Sequence, residues 1–152
     1  MTAAFTVLIA EDDDGHATLI QRNLQRSVEG TQTVRVRDGQ EVLDYLRRRA
    51  PWTDRSVHPA IAVVLDLNMP RLGGFDVLST LKHDPGLQHI PLFVLTTTDD
   101  QVELERCYAY GASACLVKPV DYGAFGEMVR HLANFLAAAS MPPENPATAH
   151  AV

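Results

Sequence analysis

Apolar and polar positions divide this chain into two alternating kinds of segment. Short runs are almost wholly apolar, as at residues 61–65, and between them apolar residues recur every three or four positions. Continuous apolar runs are typical of parallel strands covered by helices on both faces, and the longer period is typical of amphipathic helices. The predicted strands are Phe5–Ala10, Thr33–Arg37, Ile61–Asp66, Pro91–Thr96 and Ala114–Val117. The predicted helices cover residues 15–28, 39–50, 73–84, 100–110 and 121–139.

This succession of strand and helix predicts an α/β fold. It favours a flavodoxin-like (βα)5 domain, a doubly wound five-stranded parallel sheet with strand order 2-1-3-4-5. The strand at Thr33–Arg37 alternates polar and apolar residues, which indicates an edge position. Asp38 and Asp99 are predicted to cap the second and fourth helices. Residues 1–139 therefore form one domain, and the proline- and alanine-rich residues 140–152 are predicted to be a disordered tail.

Composition and charge narrow the class of protein. The chain has 152 residues, 46% of them hydrophobic, and a formal net charge of −6 at pH 7. Binding to nucleic acid or to an anionic membrane needs a basic face, so the charge disfavours both. No apolar run approaches the ~20 residues of a membrane span, and the N-terminus lacks a signal-peptide pattern. Cys107 and Cys115 are expected to be reduced core thiols in a cytoplasmic protein.

Chemically active residues follow four of the predicted strands. Glu11 and Asp12 follow the first, Asp66 ends the third, Thr96 ends the fourth and Lys118 follows the fifth. Taken singly, acidic residues cap helices and an aspartate after a strand forms a turn. The carboxyl ends of parallel strands, however, meet at one edge of the sheet, where doubly wound folds bind ligands. Their joint occurrence therefore predicts one cleft that contains carboxylates, a hydroxyl group and an ammonium group.

The chain resembles the receiver domains of two-component response regulators over residues 5–138. The resemblance rests on the Glu11-Asp12 pair, the block DLNMPRLGG that begins at Asp66, the threonines at 96–97, and Lys118-Pro119. The long segment before Asp66 and the lack of a predicted output domain more narrowly resemble the stand-alone regulators paired with bacterial phytochromes. Such a regulator signals through protein–protein contacts.

The resemblance implies a Mg²⁺-dependent phosphoacceptor. Asp66 would accept a phosphoryl group from a sensor histidine kinase, such as a bacteriophytochrome, and form an acyl phosphate. Two carboxylates ~4 Å apart repel by about 4 kcal/mol at an effective dielectric near 20, and a hard cation, Mg²⁺ or Mn²⁺, relieves that repulsion. The implied ligands are Asp12, Asp66 and the backbone carbonyl of Asn68, with Glu11 acting through water.

The same resemblance assigns the remaining roles in the cleft. Lys118 is expected to hold the Asp66 carboxylate at rest and a phosphoryl oxygen afterwards, and Thr96 is the switch hydroxyl. Pro119 is implied to follow a cis peptide bond. Asn68 and Thr98 are predicted to flank the path of the hydrolytic water and to tune dephosphorylation. Thr97 occupies a position where the family favours a small residue.

Three further expectations concern neighbouring positions. Asp13 is expected to point away from the cleft, and Asp14 to cap the helix that follows. Cys115 occupies a position where many receivers carry a switching aromatic residue, so output is expected to depend on repacking of Tyr108, Tyr110 or the last helix. The resemblance also implies a homodimer built from the fourth helix, fifth strand and fifth helix.

Three alternatives stay open on sequence grounds. An aspartyl-phosphate phosphatase also has an aspartate nucleophile after a parallel strand, but it needs a second aspartate where Asn68 stands. A flavodoxin needs a phosphate loop after the first strand, and the acidic sequence EDDDGH at residues 11–16 would repel FMN. The third alternative is a receiver-like module that no longer accepts phosphate and acts only as a binding partner.

Overall fold

A computed structural model describes residues 5–27, 29–55 and 61–139. The strands are β1 (Thr6–Ala10), β2 (Gln32–Val36), β3 (Ile61–Asp66), β4 (Leu92–Thr96) and β5 (Ala114–Val117). The helices are α1 (Asp14–Ser27), α2 (Gly39–Leu46), α3 (Gly74–Lys82), α4 (Gln101–Ala109) and α5 (Tyr122–Ala138). Each predicted strand and helix is present, with bounds that differ by a few residues. The predicted tail at 140–152 lies outside the described residues.

The strands form one parallel sheet in the order β2-β1-β3-β4-β5, which confirms the predicted topology. All residues of β1, β3 and β4 are buried, because helices cover both faces of the sheet. β2 lies at an edge and is mostly half-buried, as its alternating sequence predicted. The two faces carry separate apolar clusters, one around Leu8 and Val63 and the other around Ile9, Val64 and the stripe of α5.

Aspartates cap α2, α4 and α5. Asp38 caps α2 by accepting a hydrogen bond from the amide of Glu41, as predicted. The prediction for α4 was wrong by one residue, because the side chain that accepts the amide of Val102 belongs to Asp100 and not to Asp99. Asp121 caps α5 in the same manner, on the amide of Ala124.

Two glycines allow the loop after β3 to pack closely. A Cβ atom on Gly39 would collide with the backbone carbonyl of Leu72, and one on Gly74 would lie 2.7 Å from the Cα atom of Leu67. The loop from Leu67 to Leu72 is thus held between the starts of α2 and α3, beside Asp66. Within the described ranges, no helix has the length and apolar character needed to cross a bilayer.

Candidate phosphoryl-transfer site

The strand ends bring the predicted residues together at one edge of the sheet. In the register of the sheet, Ala10 lies beside Leu65, Asp66 beside Leu95, and Thr96 beside Val117. Glu11 and Lys118 each follow one of these strands directly. The result is a cleft whose floor consists of side chains buried to at least nine-tenths: Glu11, Asp66, Thr96 and Lys118.

Lys118 is the centre of the cleft's hydrogen bonding. Its Nζ atom donates to Oε2 of Glu11 at 2.7 Å and to Oδ2 of Asp66 at 3.1 Å. The predicted contact with Asp66 is present, but the shorter one, to Glu11, was not predicted. Burial lowers the pKa of Lys118, yet the hydrogen bond to Glu11 and the charges of both carboxylates outweigh it, so that the pKa lies above its usual value. Lys118 is therefore a fixed positive charge between two carboxylates.

The carboxyl group of Glu11 is strongly affected by its burial. Burial raises its pKa to about 7; the hydrogen bond from Lys118 opposes this rise, and the negative charge of Asp66 adds to it. Asp66 is held on both oxygens, since Oδ1 accepts the amide of Asn68 at 3.0 Å and Oδ2 contacts Lys118. One buried ammonium group thus serves two buried carboxylates, and the cleft has an excess of negative charge.

Carboxylate oxygens of Glu11, Asp12 and Asp66 lie within 4.8 Å of one another. Asp12 is exposed, so this cluster opens to solvent on one side. Hard oxygen donors with one open side suit Mg²⁺ or Mn²⁺, which retains several waters. The excess negative charge fits the same class of cation. The residues present therefore fit the predicted divalent metal.

The threonines form a second wall of the cleft. Thr96 is 1% exposed, and its hydroxyl accepts the amide of Thr98 at 3.2 Å. Thr97 is exposed, and its hydroxyl accepts a hydrogen bond from the side chain of Asn68 at 3.4 Å. The hydroxyl of Thr96 is thus tied to its own loop, and Asn68, Thr97 and Thr98 lie at the entrance.

The prediction that Asp14 caps the first helix was wrong. Asp13 caps α1, since Oδ1 accepts the amide of His16 at 2.9 Å, whereas Asp14 pairs with Arg35 at 2.6 Å and Arg37 at 3.0 Å. Arg35 in β2 and Arg37 just after it bind the Asp14 carboxylate, so the helix amide is capped by Asp13 instead.

The prediction of a cis bond before Pro119 was also wrong. Within the described ranges the cis peptide bond precedes Pro51, and Lys118-Pro119 is trans, the form that proline peptides intrinsically favour. The amide of Lys118 donates to the carbonyl of Thr96 at 2.6 Å. That hydrogen bond continues the pairing of β4 with β5 and directs Lys118 into the cleft.

Comparison with known proteins agrees with this geometry. Residues 7–130 match the family model described as the response regulator receiver domain. The chain belongs to the response-regulator receiver family. A probable methanogenesis regulatory protein, FilR2 of Methanothrix harundinacea, is 37% identical over 118 residues, which are 78% of this chain and 74% of FilR2.

Solved receivers extend the likeness to phytochrome-associated regulators. The phosphorylated cyanobacterial phytochrome response regulator RcpA is 30% identical, with a TM-score of 0.83 over 92% of this chain and 99% of RcpA. Rcp1 of Synechocystis, solved in its Mn²⁺-bound form, is 25% identical, with the same TM-score over 90% of this chain and 98% of Rcp1. These neighbours confirm the predicted family, the narrower likeness and the class of metal that receivers of this kind hold.

The backbone of Cys115 joins β5 to α4. This residue is half-buried in β5, and its amide donates to the hydroxyl of Tyr108 at 3.1 Å. Burial and the neighbouring Cys107 raise the pKa of Cys115 to about 12, and both thiols are free, as predicted. An aromatic residue of α4 thus contacts β5 at Cys115.

Sequence analysis missed two contacts, one in the cleft and one in the loop after β3. His16 lies 3.5 Å from the ammonium of Lys118, and Arg71 forms two hydrogen bonds with Asp38, at 2.8 and 3.1 Å. The pair formed by Arg71 and Asp38 ties the loop after β3 to the start of α2. An isolated histidine gives no periodic signal, and the contact of Arg71 depends on a positive φ angle of 64° that the sequence does not announce for arginine.

Proposed function

We propose that this receiver is a Mg²⁺-dependent phosphoacceptor, with Asp66 as the phosphorylated residue and a sensor histidine kinase as the donor. The observation that carries the proposal is the buried Asp66 carboxylate at the end of β3, bonded to Lys118 and clustered with Glu11 and Asp12. An aspartate held beside an ammonium group and a hard-cation site is suited to in-line phosphoryl transfer, for which positioning and charge neutralisation supply most of the catalysis.

The chain's own residues account for the transfer. A carboxylate oxygen of Asp66 attacks phosphorus, the bond from phosphorus to the imidazole nitrogen of the kinase breaks, and the imidazole leaves with the electron pair. Lys118 neutralises a phosphoryl oxygen. Asp12, Asp66 and the carbonyl of Asn68 are the proposed metal ligands, with Glu11 acting through water, and the bound cation would supply further neutralisation of the phosphoryl charge. The chain would thereby promote only its own phosphorylation and dephosphorylation.

Thr96 is the proposed switch residue. Its hydroxyl, now bonded to the amide of Thr98, would turn to a phosphoryl oxygen and draw the loop before α4 with it. The phosphoryl group adds about −1.5 to −2 charge, which the hydroxyl, Lys118 and the cation would share. The expected consequence is a change in the surface formed by α4, β5 and α5.

Intact mass spectrometry after incubation with acetyl phosphate and Mg²⁺ tests the proposal. We expect one phosphoryl group per chain, none with EDTA and none in Asp66→Asn. Asp76→Asn, a matched change at an exposed aspartate in the first turn of α3, should accept the group normally. An unlabelled wild type would instead support a receiver-like module that only binds partners, and labelling of Asp66→Asn would place the acceptor elsewhere.

A bacteriophytochrome is the proposed kinase, because RcpA is a phytochrome response regulator. We place the exchange in the cytoplasm, where free thiols such as Cys107 and Cys115 persist. Purified bacteriophytochrome kinases, each autophosphorylated with labelled ATP in red or far-red light, would test the pairing. Transfer to wild type and not to Asp66→Asn supports it, and transfer only from kinases without a phytochrome module contradicts it.

We further propose a homodimer through α4, β5 and α5. The large apolar side chains that are exposed in the described ranges all belong to these elements or to the loop between β5 and α5: Val102, Tyr108, Val117, Val120, Tyr122 and Phe135. A groove of about 580 Å³ beside them is lined mainly by apolar side chains, Phe93 and Leu132 among them. Exposed apolar side chains beside an apolar groove are typical of interaction sites. Sedimentation at tens of micromolar should give a dimer, and Phe135→Glu a monomer; a monomeric wild type with and without beryllofluoride would contradict the proposal.

A further inference from the structure

The ammonium group of Lys118 has three protons and three acceptors around it. Two of the acceptors are the carboxylates of Glu11 and Asp66, and the third is Nδ1 of His16, at 3.5 Å. An ammonium group only donates hydrogen bonds, so this contact requires an unprotonated Nδ1 and places the imidazole proton on Nε2. Without His16, one proton of the Lys118 ammonium would lack an acceptor. Water could hardly replace it, because Lys118 is only 7% exposed.

His16 is itself held in place by two contacts. Its backbone amide donates to Oδ1 of Asp13, which fixes the residue in the first turn of α1. Its ring lies against the buried ring of Phe125 in α5, with centroids 4.7 Å apart and planes tilted by 48°. The ammonium of Lys118 lies 5.8 Å from the centroid of the same Phe125 ring. The imidazole therefore bridges α1, α5 and the cleft.

From this geometry we infer that His16 is a positioning residue that holds the Lys118 ammonium in register with Asp66. The two carboxylates alone draw the ammonium toward Glu11, since that contact is the shorter one. An acceptor on a third side restricts rotation about the last bonds of a flexible side chain. When the phosphoryl group arrives, Lys118 has to leave the Asp66 oxygen for a phosphoryl oxygen, and the contact to His16 guides that movement.

The kinetic consequence of this inference rests on the proposed phosphoacceptor function, but the contact itself can be tested without phosphorylation. The chain has two lysines, Lys82 and Lys118, so that the ammonium signals of ¹⁵N-labelled protein can be assigned directly. Lys82 is exposed and donates to the carbonyl of Ala109 at 3.1 Å, which makes it an internal reference. We expect slower ammonium hydrogen exchange for Lys118 than for Lys82.

Two substitutions separate the acceptor of His16 from its ring. His16→Phe keeps a ring against Phe125 and removes the acceptor, whereas His16→Asn keeps an acceptor near Nδ1 and removes the ring. In His16→Phe we expect ammonium exchange of Lys118 to rise about threefold or more, and phosphorylation by acetyl phosphate to slow by about three- to tenfold. In His16→Asn both rates should return to within about twofold of wild type. His83→Asn, at an exposed histidine after α3, is the matched control.

The outcomes separate the alternatives. Wild-type exchange in His16→Phe would overturn the inference, because the acceptor would then be dispensable. Equal impairment in His16→Phe and His16→Asn would also overturn it, and would assign the effect to ring packing. If wild type accepts no phosphoryl group, the proposed function fails, while the exchange rates of Lys118 still decide whether His16 holds it.

Discussion

The Lys118 ammonium lies closer to Glu11, at 2.7 Å, than to Asp66, at 3.1 Å. Both Glu11 and Lys118 are buried, and they belong to segments 107 residues apart in the chain. At rest, the nearer partner of the Lys118 ammonium is therefore the acidic residue after β1 and not Asp66, the proposed phosphoacceptor. A ligand that attracts Glu11, such as a divalent cation, would release Lys118 toward Asp66.

We predict that, without metal, the carboxyl group of Glu11 makes the free energy of unfolding depend on pH. Its pKa is about 7 in the folded protein and 4.5 ordinarily, so between these values the folded state retains a proton that the unfolded state has released. The free energy of unfolding in EDTA should therefore be highest below pH 4.5 with respect to this group and fall by about 3 kcal/mol as the pH rises through 7. Urea denaturation between pH 4.5 and 8 measures this.

Two controls accompany that measurement. Glu11→Gln removes the titrating group, so its profile should be flatter than that of wild type over this range. Mg²⁺ stabilises the ionised carboxylates, and saturating Mg²⁺ should abolish or reverse the decline. Identical profiles for wild type and Glu11→Gln in EDTA would contradict the prediction.

We predict that two substitutions of Asp38, the partner of Arg71, lower the free energy of unfolding by different amounts. Asp38 both caps α2 and binds the guanidinium of Arg71, and these interactions hold the pKa of its carboxyl below the usual value although burial raises it. Asp38→Ala loses both interactions and should lower the free energy of unfolding by about 1–2 kcal/mol. Asp38→Asn retains a cap, and because Arg71 is 60% exposed it should cost less than about 1 kcal/mol. Equal losses in the two variants would show that the cap contributes nothing.

We predict that the side chains of Asn68 and Thr98 control the lifetime of the acyl phosphate. Asn68 is exposed and Thr98 half-exposed at the entrance beside Asp66 and Thr96, so larger neutral side chains there should shield phosphorus from water. Asn68→Met combined with Thr98→Tyr should lengthen the lifetime about fivefold, which corresponds to about 1 kcal/mol in barrier height. Uptake from acetyl phosphate should be unaffected, since the carbonyl of Asn68 is retained. Decay of the phosphorylated mass with time gives the lifetime.

A control and a contrary result complete this test. Gln101→Met, at an exposed position that begins α4, should leave the lifetime at its wild-type value. An unchanged lifetime in the double variant would remove both residues from the path of the hydrolytic water.

We predict that the hydroxyl of Tyr108 stabilises the contact between α4 and β5. Its hydroxyl accepts the amide of Cys115 at 3.1 Å on an edge strand that has no neighbour beyond it in the sheet. Tyr108→Phe should speed hydrogen exchange at the Cys115 amide about fivefold, because about 1 kcal/mol of hydrogen bonding is lost. The global free energy of unfolding should change by less than about 1 kcal/mol, since Tyr108 is 52% exposed. Tyr122→Phe, at another exposed tyrosine, is the control, and unchanged exchange in Tyr108→Phe would contradict the prediction.

The sequence by itself determined the elements, their order in the sheet and the edge at which chemistry collects. Apolar runs such as residues 61–65 can be buried only between two layers of helices, and that arrangement brings the carboxyl ends of the strands together. Glu11, Asp66, Thr96 and Lys118 were predicted at this edge because each lies at the carboxyl end of a strand in a doubly wound parallel sheet.

Only the tertiary structure decided which side chains bond to which. Asp13 and not Asp14 caps α1, since Arg35 and Arg37 lie beside the start of that helix and pair with Asp14. The Lys118 ammonium lies nearer to Glu11 than to Asp66, and Nδ1 of His16 lies 3.5 Å from it. The peptide bond before Pro119 is trans. Periodicity reports burial, whereas the partner of a buried charge depends on distances of a few tenths of an ångström between residues far apart in the chain.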